Sequence, residues 1–182
     1  LGQRLEQLGH VVRELPDPVV GPGQLGIEVK AAGCNFFDIL LVQGRYQVKP
    51  PFPFIPGGEI AGVVREIGPD VAKPSDQQGG FAVGDRVLAA VPVGGYASRI
   101  AIPASFAHRM PDAMSFEEGA SFPIVYPTSY AGLVYRAALQ PGETLLVHAA
   151  AGGVGLAAVQ IGKALGALVI ATAGGPDKVR VA

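Results

Sequence analysis

Thr144 to Ala173, TLLVHAAAGGVGLAAVQIGKALGALVIATA, decides how this chain folds. Thr144 to Val147 is uncharged and β-prone, and reads as a strand covered on both faces. The turn Ala150-Ala151-Gly152-Gly153-Val154-Gly155 comes next. From Val154 onward the apolar positions Val154, Ala157, Ala158, Ile161 and Leu165 recur at three- and four-residue steps, the stripe of a buried helix. Leu168 to Ala171 is a second apolar run of strand length. Glycines at a sharp strand-to-helix turn let a pyrophosphate reach backbone N–H groups at the positive end of the helix. The stretch therefore predicts a dinucleotide-binding βαβ unit, with Ala150 standing where the G-x-G-x-x-G pattern has its first glycine. Without a ligand, the same residues would be a Gly-rich turn before an alanine-rich helix. A membrane span is rejected, because the glycines and His148 break the apolar run in its middle.

The 182 residues are 49% hydrophobic and 16% charged, with net charge −1. This is a globular composition with enough apolar residues for a sizeable core. The near-neutral balance supplies no basic surface for nucleic acid or an acidic membrane, so neither is an expected partner. Cys34 is the only cysteine, which excludes an intrachain disulfide and a multi-cysteine zinc site. With no nearby base or cation, it reads as a small buried hydrophobe. A reducing, cytoplasmic setting fits. The chain starts at Leu1 with no methionine, so a lost leader and a mitochondrial location stay open.

Upstream of the opening stretch the chain is β-rich. Gly9 to Leu15 is a candidate edge strand, and Gln24 to Ala32 alternates apolar and charged residues as a half-buried strand should. Asn35 can cap a short helix that ends at Gly44. Lys49 to Gly58 has too many prolines for regular structure and forms an ordered loop or lid. Strands are expected at Glu59 to Ile67, Arg86 to Val91 and Ala97 to Ile102, with a surface loop over Asp70 to Gly80, so the first part reads as a small barrel or sandwich. Ser115-Phe116-Glu117-Glu118 has capping-box spacing and starts a helix. Pro123 and Pro127 interrupt it, and Thr128 to Leu139 forms a second helix with Tyr130, Leu133, Val134 and Ala137 on one face.

Several of these pieces carry a family resemblance. They are Gly33-Cys34-Asn35-Phe36-Phe37-Asp38 with Gly44-Arg45-Tyr46, then Pro56-Gly57-Gly58-Glu59 with Ala61-Gly62-Val63-Val64. Val83-Gly84-Asp85-Arg86-Val87, Gly95-Tyr96-Ala97 and His148 to Gly155 complete the series, over residues 24 to 180. The sequence resembles the quinone oxidoreductase (zeta-crystallin-like) branch of the medium-chain dehydrogenase/reductase superfamily. The resemblance implies an α/β chain: a GroES-like β-rich catalytic domain over residues 1–124, then a Rossmann NADP-binding domain beginning at residues 125–182. Two strands do not complete a doubly wound parallel sheet, so the chain reads as a truncated piece of a protein about twice as long, inactive alone. Homodimers in this family pair through Rossmann edge strands. In the zinc-dependent relatives a cysteine lies where Asn35 stands and a histidine where Gly58 stands, so the resemblance is to the zinc-free branch, with no metal. Lys73 to Gly80 looks like an insertion.

An NAD site wants an acidic side chain at the end of the second strand, and Thr172-Ala173-Gly174-Gly175 has none. Lys178 and Arg180 follow, so NADPH is favoured over NADH, with Asp177 as the new helix's cap. The resemblance places Gly174 and Lys178 at the 2′-phosphate. It puts Asn35 and Tyr46, as the catalytic pair, beside the nicotinamide and substrate, and Thr128 at the nicotinamide end. Ala150, Gly152, Gly153, Val154 and Gly155 would form the pyrophosphate cradle. Each residue also has a structural alternative: Asn35 and Thr128 as helix caps, Tyr46 as a packing aromatic, Lys178 on a solvated helix face. Phe36 and Phe37 read as core, Asp38 as organising its loop, and His148 as a packed, hydrogen-bonded histidine. His10 and His108 have no evident partner. The expected reaction is zinc-independent hydride transfer from NADPH to a quinone or other α,β-unsaturated carbonyl. An enoyl-thioester reductase, with Tyr46 as acid, and a catalytically silent nucleotide-binding or interaction module are the alternatives.

Overall fold

The computed structural model describes residues 12–72 and 79–182. Residues 9–11 of the expected edge strand, His10 and most of the Lys73 to Gly80 segment lie outside them. Within the described part of that edge strand, residues 12–15 have no regular structure.

Five strands, β1 (Gln24–Ala32), β2 (Glu59–Ile67), β3 (Arg86–Ala90), β4 (Arg99–Pro103) and β5 (Ala107–Arg109), form one antiparallel sheet in the order β4-β1-β2-β3-β5. Alternation along each strand sends side chains to two faces. On one face Leu25, Ile27, Ile60, Val64, Val87 and Ile102 form the main core. On the other, Ala61 and Leu88 meet Met110 and Ala120, the latter from helix α2 (Phe116–Ala120). The predicted capping box starts that helix: Ser115 N–H donates to Glu118 Oε2 at 2.8 Å and Glu118 N–H to Ser115 Oγ at 3.1 Å.

Helix α1 (Phe36–Val42) closes at Gln43, and Gly44 takes the left-handed φ of 66° expected of it. Only part of α1 faces inward. Asp38 and Leu41 are buried, whereas Phe36 is 74% exposed and Cys34 is exposed, which corrects the expectation that both are interior.

Helix α3 (Val125–Tyr130) runs into a π-helical turn over Ala131–Arg136. It begins three residues before the expected Thr128, with Pro127 inside it. Proline in a first turn removes only an N–H that has no intrahelical acceptor, so it does not break the helix there.

The opening stretch folds as read: β6 (Thr144–Val147), α4 (Gly153–Ala164), then β7 (Leu168–Ala171) parallel to β6, paired from Thr144 with Leu168 to Val147 with Ala171. Helix α5 (Pro176–Val181) follows. The two strands are covered on one face, where Leu145 and Val169 pack in the cluster with Val147, Ala150 and Val159. Leu146 and Ile170, at 52% and 49% exposure, lie on the uncovered face, contrary to the expectation of cover on both. No helix among the described residues is long and apolar enough to cross a membrane.

Candidate functional site

The site starts at Asn35, the residue that begins α1. Its backbone N–H donates to Asp38 Oδ2 at 2.9 Å, half of a cap, while its side-chain Nδ2 donates to Glu59 Oε1 at 2.7 Å. Glu59, the first residue of β2, is 2% exposed, and its Oε2 accepts the backbone N–H of Ile124 at 3.0 Å. Asp38, 5% exposed, also accepts the Tyr96 hydroxyl at 2.9 Å, so it organises the loop as expected. Its Oδ1 has no partner in the described structure. Burial foremost, then the Cys34 and Asp38 side chains, push the Tyr96 phenol well above its ordinary range.

Glu59 carries a titration signature. Burial raises its pKa above the ordinary 4.5, Asn35 and Ile124 lower it by hydrogen bonding, and the Asp38 charge raises it further. Between 4.5 and the folded value, the folded protein holds a proton that the unfolded chain has released. The stability from this group is therefore complete below 4.5 and is lost as pH rises through the folded value. Glu59→Gln should flatten that limb of the stability curve, read from urea melts between about pH 4 and 7. An unchanged limb would mean that Glu59 is not the titrating group.

Gly58 sits beside Glu59, where a side chain has no room as the structure stands. A Cβ built there would lie 2.2 Å from Cζ of Phe37, so the Phe37 ring occupies the space of any side chain at this position. Phe37 in turn packs on Tyr46, ring centroids 5.5 Å apart and tilted by 36°. Both aromatics line a cleft of about 990 Å³ that opens between the sheet and α3, with Gly58, Leu88, Ile124 and Pro127 among its walls. Of the predicted catalytic pair, Tyr46 lines this cleft, whereas the Asn35 amide is engaged by Glu59 behind it. His108 also lines the cleft. Among the described residues, no three His, Cys, Asp or Glu side chains cluster as metal ligands.

On the other side of the cleft, α3 joins the site to the glycine turn. The Thr128 hydroxyl donates to the Ile124 carbonyl at 2.6 Å, one turn back along the helix, so Thr128 is not a cap. Ser129, 5% exposed, donates its hydroxyl to the Val154 carbonyl at 2.9 Å, and Tyr126 donates to Gln160 Oε1 at 2.5 Å. Ala150 is fully buried and its N–H donates to the Thr172 carbonyl at 2.9 Å, joining the turn to the end of β7. Its methyl therefore fits in the first glycine's place. Gly152 caps α4, and the helix leaves the N–H groups of Gly153, Val154 and Gly155 without intrahelical acceptors. A Cβ on Gly155 would lie 2.5 Å from the Ala149 carbonyl oxygen and 2.7 Å from Ala150 Cα. The turn is thus shaped by close backbone approach, with its donors pointing out of the helix end. This fits a pyrophosphate.

At the end of β7, His148 Nδ1 and Thr172 Oγ1 are 2.9 Å apart, so the histidine is hydrogen-bonded as expected but exposed rather than packed. Gly174 is exposed with open space around it, and Lys178 is exposed on α5. Asp177 does not cap α5, whose cap is Gly175; it pairs with Arg180 instead. Sequence reasoning missed Glu59 and Ser129. A lone acid heading the apolar run EIAGVV was the available signal for the first; nothing local marks the second.

The alcohol dehydrogenase GroES-like domain family matches residues 21–112. A highly reducing polyketide synthase of Arthrinium phaeospermum is 42% identical over 172 residues, 94% of this chain and 7% of the synthase. The solved quinone oxidoreductase of Thermus thermophilus, determined also in complex with NADPH, superposes with TM-score 0.78 at 39% identity, over 94% of this chain and 52% of that one. The solved CurK enoyl reductase superposes with TM-score 0.80 at 33% identity, over 92% of this chain and 51% of that one. The chain therefore spans about half the length of both solved relatives. With its antiparallel sheet and glycine-turn βαβ unit in one polypeptide, the chain belongs to the alcohol dehydrogenase GroES-like domain family and is similar in sequence and fold to zinc-free quinone oxidoreductases.

Proposed function

We propose that these residues serve an NADPH-dependent, zinc-independent reductase of quinones or other α,β-unsaturated carbonyls. The observation that carries this reading is the pairing of two features. One is a glycine turn with outward donors; the other is a cleft whose histidine position is filled by the Phe37 ring. The backbone N–H groups at Gly153, Val154 and Gly155 would hold the pyrophosphate, with Gly152 and the buried Ala150 shaping the turn. Gly174 leaves room for a 2′-phosphate and Lys178 supplies its countercharge, since Arg180 is paired with Asp177. Bound NADPH supplies a hydride to an acceptor that is already electrophilic. The chain's own part is positional. Tyr46 lines the cleft, Thr128 stands on the helix bordering it, and the second N–H of the Asn35 amide would donate toward charge growing on a carbonyl oxygen. Phe37, Leu88 and Pro127 give the cleft apolar walls.

Titration of the full-length parent and of this 182-residue chain with NADPH and NADH, followed by NADPH oxidation by the parent with a small quinone and an enone, tests this reading. Tight NADPH binding with neither acceptor reduced would overturn it. Lys178→Ala should weaken NADPH roughly 10- to 100-fold and NADH little, the loss expected for one charge-assisted hydrogen bond. Equal losses would make Lys178 a surface lysine. Relatives named as a polyketide synthase and an enoyl reductase favour a second reading, reduction of an enoyl thioester with Tyr46 as acid. A crotonyl thioester included in the assay separates the two.

A further inference from the structure

Glu59 has no role in either reading, and it sits where the two sides of the site meet. One oxygen holds the Asn35 amide at 2.7 Å; the other holds the N–H of Ile124, immediately before α3, at 3.0 Å. The same Ile124 residue receives the Thr128 hydroxyl on its carbonyl at 2.6 Å. A single buried carboxylate thus joins the loop that carries Asn35 to the helix that carries Thr128, behind the cleft wall formed by Gly58 and Ile124. Asn35 is pinned twice, since Asp38 holds its backbone N–H at 2.9 Å. We propose that Glu59 is the positioning residue of this site, fixing the direction of the Asn35 amide relative to α3. This rests on the reductase reading above.

The alternative is a buried polar tie with no bearing on the reaction, and polarity distinguishes the two. The donor at Ile124 is a main-chain N–H and cannot reverse. In Glu59→Gln the side-chain oxygen must therefore stay with Ile124, leaving the NH2 group facing Asn35. Two donors cannot share that contact, so Asn35 must rotate its amide and present Oδ1 instead. The substitution keeps the volume and the tie while reversing Asn35. Glu59→Ala removes the tie altogether.

The experiment, carried out in the full-length parent, compares wild-type protein with both variants by thermal melting, NADPH titration, the 15N-labelled side-chain amide signals of Asn35, and turnover with a small quinone. Glu59→Gln is expected to melt close to wild type, bind NADPH within about threefold, move the Asn35 signals, and lower kcat roughly 10- to 100-fold. Glu59→Ala should lose stability as well. Wild-type Asn35 signals in Glu59→Gln would overturn the proposal, as would wild-type turnover, or a turnover loss that merely tracks melting temperature across the two variants. If wild-type protein reduces neither quinone nor enone, the reductase reading fails by itself. The positioning claim is then decided by whether NADPH shifts the Asn35 signals in wild type and not in Glu59→Gln; equal shifts in both overturn it.

Discussion

Gly155→Ala is expected to lower stability by about 2–4 kcal/mol and to abolish measurable NADPH binding. The added Cβ would fall 2.5 Å from the Ala149 carbonyl oxygen and 2.7 Å from Ala150 Cα. Both neighbours are main chain in the same turn, so neither can swing aside as a side-chain tip would. That turn already holds Ala149 at a left-handed φ of 52°, and relief must come from moving the turn itself. Displacing it shifts the N–H groups of Gly153, Val154 and Gly155 together. Gly152→Ala is the control, because its Cβ would meet nothing nearer than the Ala149 oxygen at 3.4 Å and its φ is −85°. It should melt like wild type. Thermal melts paired with fluorescence titration of NADPH decide the matter; a wild-type melt for Gly155→Ala would contradict the packing described.

Gly58→His is expected to lower stability by about 2–3 kcal/mol and to create no zinc site. The obstacle is the Phe37 ring, 2.2 Å from the new Cβ. A ring tip can rotate, so the cost should stay below that of a main-chain clash, and Phe37→Ala combined with Gly58→His should recover part of it. Catalytic zinc needs three protein ligands, and position 35 offers an amide already committed to Glu59. Metal analysis after dialysis against zinc reads the outcome. Stoichiometric zinc in Gly58→His would show that a ligand set exists that the described residues do not reveal.

Much of this architecture is legible in the sequence because its strands are marked by pattern or by turns. β1 spans the stretch where apolar and charged positions alternate, and β2 is a mostly apolar run closed by the turn at Gly68 and Pro69. The βαβ unit was equally plain, since its glycines and its helical stripe sit in one continuous stretch. The misreadings share a physical cause: a short element does not declare which side faces in. In Phe36–Val42 nearly every position is apolar, so pattern alone cannot tell that Asp38 and Leu41 are interior while Phe36 is exposed. Uncharged strands mislead likewise, for Leu146 and Ile170 are apolar yet about half-exposed. Pro127 looked like a stop, but its effect depends on where the helix begins, and a tertiary contact helps set that beginning when Glu59 binds Ile124 from 65 positions away. Glu59 itself was hidden for the same reason, because its two partners lie in different parts of the chain.

Helix α3 therefore belongs to two structures at once. Its leading peptide is bolted to β2 through Glu59, and Ser129 and Tyr126 fasten its flank to α4. Neither the antiparallel sheet nor the βαβ unit can lose its order without tearing bonds that the other depends on. The two are linked through this short six-residue helix, and its amides are expected to be better protected from exchange than those of an unanchored helix of the same length, as hydrogen-exchange rates would show.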